Sequence, residues 1–201
     1  ILYVVMDYVE GRTLESLLAE EGPQDEDDVA DWAVQLCDVL DYLHQRTPPI
    51  VYCDMKPSNV MLRPDGTMRL IDFGIAREEH AAHKAERDGR HLGTRGYASP
   101  EQCRGADIDR RTDVYGLGAT MYALLTGDRP SAEAERNAAL RQLRPELSLG
   151  MESLVSKAME PNPAERFQSA AEMAYALERY KVDDDLHRRG LQRRWHAFMG
   201  T

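Results

Sequence analysis

Cysteine, aromatic residues, basic charge and long apolar runs are all scarce in this chain, and each scarcity excludes something. The three cysteines (Cys37, Cys53 and Cys103) are widely spaced and form no CxxC pair. An odd, scattered set argues against a disulfide framework and for a reducing cytosol. The longest apolar run, Ile1 to Met6, falls far short of the ~20 residues of a membrane helix. No signal-peptide pattern is visible. Lys and Arg number 25 against 35 Asp and Glu, a net charge of −10. Such a chain repels nucleic-acid phosphate, so no nucleic-acid partner is expected. Gly and Pro are too few for a collagen-like or low-complexity chain, and 42% hydrophobic residues suit a globular core. The 201 residues make one globular unit, or one with a tail. The first residue is not Met and Ile1 to Met6 opens in mid-pattern, so a piece of a longer polypeptide is expected.

Periodicity divides the chain into short elements. Residues 1–6 read as a buried strand. A polar linker reaches Arg12, and Thr13 is placed to cap a short helix carrying Leu14, Leu17 and Leu18. Gly22-Pro23 ends it. From Asp25 to Gln45 the apolar residues Val29, Ala33, Leu36, Leu40 and Leu43 keep helical spacing, with acids at the favourable N-terminal end. Ile50 to Tyr52 reads as a strand. Val60–Leu62 and Met68–Ile71 flank Pro64-Asp65-Gly66, a hairpin signal. Residues 75–93 are polar and irregular. Thr112 to Thr126 is apolar nearly all round, which predicts a helix inside the domain, ended by Gly127. Helices are also expected over 151–160 and 169–180. The fold class expected is mainly α with small β-hairpins around a cleft.

The chemistry gathers near the middle. Asp54 follows one strand and Asp72 another, with Lys56 and Asn59 between them. The hairpin over 60–71 folds back and can bring Asn59 towards Asp72. A carboxylate with an amide carbonyl is a hard-oxygen set suited to a Mg²⁺ that keeps its waters. Lys56 offers a point charge to a phosphoryl oxygen. Asp54 can accept a proton from an incoming hydroxyl. Positioning, metal, cation and base are what phosphoryl transfer needs.

These residues carry a resemblance. Tyr52-Cys53-Asp54-Met55-Lys56-Pro57-Ser58-Asn59 resembles the catalytic loop of protein kinases. Asp72-Phe73-Gly74 resembles their DFG motif, and Gly93 to Glu101 their P+1 loop and APE motif. Leu125 to Pro130, with the short stretch after it, resembles the eukaryotic-like (Hanks-type) serine/threonine kinases of bacteria. The likeness runs from residue 1 to about 180. It implies a kinase C-terminal lobe with the N-lobe absent: 1–12 as the last N-lobe strand and hinge, 13–180 as the C-lobe, and 181–201 as a basic tail. It implies ATP and Mg²⁺ as cofactors and a protein Ser/Thr side chain as acceptor. Asp54 would be the base, Lys56 the γ-phosphate contact, and Thr94 the bridge between them. Asn59 and Asp72 would be the Mg²⁺ ligands. Met6 falls at the gatekeeper position, Asp7 to Val9 at the adenine-binding hinge, and Met61 under the adenine. Asp113 would hold the catalytic-loop backbone, and Glu101 with Arg166 would tie the APE segment down.

The departures matter as much. No glycine-rich loop, ATP-anchoring lysine or partner glutamate occurs in the 201 residues, so the segment alone is expected to have little or no kinase activity. Tyr52-Cys53 stands where the family has His-Arg, and a cysteine cannot pair with a loop phosphate as arginine does. Ile75 to Gly93 contains no Ser, Thr or Tyr. Control by activation-loop phosphorylation is therefore not expected. His80, His83 and His91 lack a metal-site framework and read as loop residues. The competing function is a pseudokinase or a non-catalytic protein-binding scaffold. The tail has four arginines and no acid from Leu186 on. It reads either as a solvated extension or as a juxtamembrane segment of a membrane-anchored parent with a cytoplasmic kinase domain.

Overall fold

The computed structural model describes residues 8–73, 76–78, 93–131 and 139–182. The expected strand over 1–6, Met6, Asp7, Gly74, the loop histidines and the tail from 183 lie outside the described residues.

Local sequence chemistry sets the first elements. Arg12–Thr13 forms β1, and the Thr13 hydroxyl then caps α1 (Leu14–Glu21) by accepting from Ser16 N. Asp25 caps α2 (Glu26–His44) through Asp27 N, with three acids in its first turn. Negative charge there complements the helix dipole. Ile50–Val51 is β2. A 3₁₀ turn over Pro57–Asn59 leads into β3 (Val60–Leu62), and β4 (Met68–Leu70) returns antiparallel with Val60 opposite Leu70. Gly66 makes the intervening turn at φ 80°.

Two strand pairs were not expected. β1 pairs antiparallel with β3, giving the order β1-β3-β4, and β2 pairs with β5 (Arg77–Glu78). Strands of two residues have no period to read. Tyr52 lies just beyond β2 because its N–H is taken by a side chain instead of a neighbouring strand.

Helices follow. α3 (Pro100–Arg104) opens on a capping box between Ser99 and Gln102. α4 (Arg110–Thr126) is buried without interruption from Thr112 to Leu125 and ends at Gly127 in the left-handed conformation. α5 (Leu140–Leu143) and α6 (Leu149–Ala158) follow, and α7 spans 170–182. The core is one cluster in which α4 meets Leu36 and Leu40 of α2, Met151 and Val155 of α6, and Met173 and Leu177 of α7. No helix among the described residues is long and apolar enough to cross a membrane.

Two glycines allow α4 this central place. A Cβ on Gly116 would sit 3.0 Å from Met55 Cβ, and one on Gly118 would sit 2.7 Å from Ala158 Cβ. α4 thus presses on the segment around Met55 at one point and on α6 at another. On an exposed helix Gly→Ala is worth about 1 kcal/mol of added stability. At Gly118 overpacking reverses the sign: Gly118→Ala is expected to destabilise by about 1–3 kcal/mol in urea melts, with Ala158→Gly recovering part.

Candidate active site

The site is built on a turn that one side chain holds in place. Asp113, near the start of α4, accepts Tyr52 N on Oδ2 and Cys53 N on Oδ1, each at 2.8 Å. Between these contacts the chain takes a sharp bend, with Cys53 at φ 68°. The bend delivers Asp54 to the solvent side. The Cys53 side chain turns inward, into a small cluster with Val51 and Ile108.

Asp54, Lys56, Asn59 and Thr94 form one closed set. Asn59 Nδ2 donates to Asp54 Oδ2 at 2.8 Å and to Asp54 O at 3.0 Å. Lys56 Nζ lies 2.8 Å from Asp54 Oδ2 and donates to Thr94 Oγ1 at 2.8 Å. The Thr94 hydroxyl donates its hydrogen to Asp54 Oδ1 at 3.0 Å. One hydroxyl thereby links acid and amine across a gap of 38 residues from Lys56. The side chains of Asp54 and Lys56 remain 15% and 20% exposed, so both keep contact with solvent.

Asp72 arrives by a backbone bond. Ile71 N donates to Asn59 O at 2.9 Å, and Asp72 then turns with φ 65°. The Tyr52 hydroxyl donates to Ile71 O at 2.6 Å, and the Phe73 ring meets the Tyr52 ring edge-on at 5.3 Å. Burial, followed by the nearby Asp54 and Asp72 charges, pushes the Tyr52 hydroxyl well above the ordinary tyrosine range, so it stays a donor.

The donor set fits Mg²⁺. The Asn59 amide nitrogen is committed to two acceptors on Asp54, which turns its carbonyl oxygen the other way. That oxygen and the Asp72 carboxylate are hard donors of the kind Mg²⁺ takes alongside water and phosphate. No group of three or more His, Cys, Asp or Glu that could hold a metal occurs among the described residues, so the pair is no self-sufficient protein cage. Of the residues expected around adenine, Val9 and Met61 are half-buried, and Met61 faces Thr13 across the β1–β3 ladder. An open groove lined by Leu43, Arg46, Pro48, Ile50 and Phe73 includes none of Asp54, Lys56, Asn59 or Asp72.

A second buried anchor secures the opposite wall. Glu101 receives Arg166 through two bonds, at 2.6 and 2.8 Å, and the Thr112 hydroxyl at 2.9 Å. The other Arg166 donors reach the carbonyls of Glu160, Arg111 and Pro161. Gln102, next in the chain, donates to Cys53 O at 2.8 Å, which fastens α3 to the back of the 52–54 turn. The Ser99-x-x-Gln102 capping box was a readable signal for α3, but nothing local marks Gln102 as a partner of Cys53. His44, bonded to Asp113 at 2.8 Å, was missed as well, since a histidine in a last helical turn reads only as a dipole complement.

The profile of the family described as protein kinase domain matches residues 1–178, and the chain belongs to that family. It is 34% identical over 182 residues to the serine/threonine-protein kinase PknB of Mycobacterium leprae, covering 85% of this chain and 29% of that protein. A probable serine/threonine-protein kinase of Corynebacterium efficiens, CE0033, is 35% identical over 193 residues, covering 88% of this chain and 29% of its own length. The crystal structure of the Mycobacterium tuberculosis PknI kinase domain matches with TM-score 0.70 and 30% identity, over 87% of this chain and 64% of that one. The chain therefore spans less than a third of the curated relatives it matches. The expected fold class, a mainly helical kinase-lobe architecture with small β-hairpins, is the one found.

The Glu101–Arg166 pair yields a stability prediction. Arg166→Met strands a buried carboxylate and is expected to cost ~3–5 kcal/mol in chemical denaturation. Burial would raise the Glu101 carboxyl, but the Arg166 bonds and charge and the Thr112 hydroxyl outweigh it and hold it below its ordinary 4.5. Its contribution is then fully present above 4.5 and is lost as pH falls through the lower folded value. Stability-against-pH curves should show that acid-side slope in the wild type, and Glu101→Gln should flatten it.

Proposed function

We propose that this chain supplies the phosphoryl-transfer half of an ATP-dependent serine/threonine protein kinase. One observation carries the reading: Asp54, Thr94 and Lys56 are closed into a hydrogen-bonded set at an accessible surface. The acceptor hydroxyl of a protein Ser or Thr gives its proton to the Asp54 carboxylate. Its oxygen forms the new bond to the γ-phosphorus as the bond to the ADP oxygen breaks. Lys56 offsets charge on the transferred group, and Thr94 keeps acid and amine in register. Asn59 and Asp72 are the residues that would hold Mg²⁺, which supplies charge neutralisation of the phosphates when bound.

Residues 1–12 are assigned to the edge of the smaller lobe and its hinge, with Met6, Asp7, Val9 and Met61 around the adenine. Residues 13–180 form the larger lobe and 181–201 the basic tail. The compartment proposed is the cytoplasm, in keeping with an odd, widely spaced set of three cysteines.

The test uses the polypeptide expressed from the complete reading frame, with a generic basic protein as acceptor. Asp54→Asn is expected to lower transfer by about 10²–10⁴-fold, the usual worth of a general base. Thr94→Ala should be impaired and Thr94→Ser largely restored, because only the hydroxyl is needed. Asp54→Asn at the wild-type rate would remove Asp54 as the base, and a wild type that transfers nothing would make the chain a non-catalytic scaffold. The 201-residue segment assayed alone is expected to show little transfer, since nothing in it matches a glycine-rich phosphate loop or an ATP-anchoring lysine.

Regulation follows from Cys53 and from the residues after Gly74. Cys53 carries no charge for a phosphate and is buried, and 75–93 offers no hydroxyl to modify. Phosphatase treatment of the purified enzyme is expected to leave its rate within about twofold, as no phosphate-ordered loop is there to lose. A drop of an order of magnitude would overturn this.

A further inference from the structure

The segment that carries Thr94 is tied to its neighbours by a side chain that touches none of the groups proposed to react. Gln102, on α3, is 3% exposed. Its Nε2 donates to Cys53 O at 2.8 Å, and its Oε1 accepts from Ser99 N at 2.9 Å. A glutamine amide has one end that only donates and one that only accepts, so these two partners fix its orientation. A capping box asks for the second bond alone, and a glutamate would serve it as well. The bond to Cys53 O goes beyond what α3 needs for itself.

Both bonds act on the surroundings of Thr94. Cys53 O shares a planar peptide unit with Asp54 N, so the amide holds the unit from which Asp54 departs. On the other side, Ser99 follows a closed turn in which Tyr97 N and Ala98 N both donate to Thr94 O at 2.9 Å. Gly93 opens that turn at φ 90°, and a Cβ there would lie 3.0 Å from Gln102 Nε2 and 2.9 Å from Ala98 Cβ. Thr94 thus stands between Gly93 and Ser99, both set against the same amide. Its hydroxyl must meet Asp54 Oδ1 at 3.0 Å and Lys56 Nζ at 2.8 Å. Hydrogen bonds weaken steeply with misalignment, so a small drift of 93–99 would loosen both.

We infer that Gln102 is a positioning residue for Thr94. Its amide clamps the 93–99 segment to the Cys53–Asp54 peptide and so keeps the Thr94 hydroxyl between Asp54 and Lys56. The clamp is neutral and uses no residue of 75–92. Its effect on rate rests on the proposal that Asp54, Thr94 and Lys56 act together in transfer.

The experiment uses the enzyme expressed from the complete reading frame. Gln102→Met keeps an unbranched side chain and removes both ends of the amide. It is expected to lower kcat about 10-fold while the KM for ATP stays within about twofold. A double-mutant cycle separates positioning from general support. In a Thr94→Ala background no hydroxyl is left to place, so adding Gln102→Met should cost less than about twofold. In Thr94→Ser, which keeps the hydroxyl, it should cost the full about 10-fold. Amide exchange at Tyr97 and Ala98 should speed up in Gln102→Met. Should that variant fail to fold by near-UV circular dichroism, Gln102→Asn replaces it, because its amide is a methylene too short to span Ser99 N and Cys53 O. The wild type offers a check that needs no variant: by NMR, the side-chain amide hydrogens of Gln102 should exchange slowly, and exchange at the rate of a free glutamine overturns the inference. So does Gln102→Met at the wild-type kcat, or an equal fold loss with and without the Thr94 hydroxyl. A wild type that transfers no phosphate would sink the enzymatic reading alone. The exchange rates at Tyr97 and Ala98 would then decide the clamp, and rates unchanged in Gln102→Met would refute it.

Discussion

Everything in the site hangs from one buried negative charge. The Asp113 carboxylate has no exposed surface on its side chain, and burying a charge without partners would be prohibitive. Three N–H donors compensate it, two of them from the backbone of the segment it must hold. The cost of burial and the strain at Cys53 therefore relieve each other: the turn satisfies the acid, and the acid keeps the turn. Asp54 is aimed as a consequence, and so is the run Lys56–Asn59 behind it.

A second buried acid works on the same principle from the other side. Glu101 is held by Arg166 and Thr112, and Thr112 precedes Asp113 on α4. Both anchors thus converge on the first turns of a helix that is itself wholly enclosed. The supports lie inside and the candidate site groups outside: Asp113 and Arg166 are sealed, whereas Asp54, Lys56 and Thr94 remain within reach of solvent. A site needs this division, because supports gain strength from a low dielectric and reacting groups need access.

The Tyr52-Cys53 pair shows how a departure in sequence is absorbed. The tyrosine ring packs against Phe73, and its hydroxyl adds a bond to Ile71 O. The cysteine fills an apolar pocket with Val51 and Ile108, where a charged side chain would need a partner of its own. The turn keeps its shape because Asp113 reads backbone N–H groups and is indifferent to the side chains at 52 and 53.

Local signals carried much of the architecture. The cap at Thr13, the acids opening α2, the apolar girdle of 112–126 and the Pro64-Asp65-Gly66 turn each act over a few residues, so each could be read along the chain. Most of the candidate site was legible too, because Asp54, Lys56 and Asn59 lie within one short motif and Asp72 follows a hairpin. Thr94 entered through resemblance, and its hydroxyl is what the fold brings across to them. The two-residue strands β1 and β5, the Gln102 bond to Cys53 and the His44 bond to Asp113 had no such signature. Each joins positions far apart in the chain, the strands through two residue pairs and the side chains through one bond, and one histidine or glutamine looks like any other until packing selects its neighbour. Sequence by itself determined which stretches would coil and which residues make up the candidate site. Tertiary structure alone decided which buried partners hold them still, because a hydrogen bond depends on distance and angle and not on order along the chain.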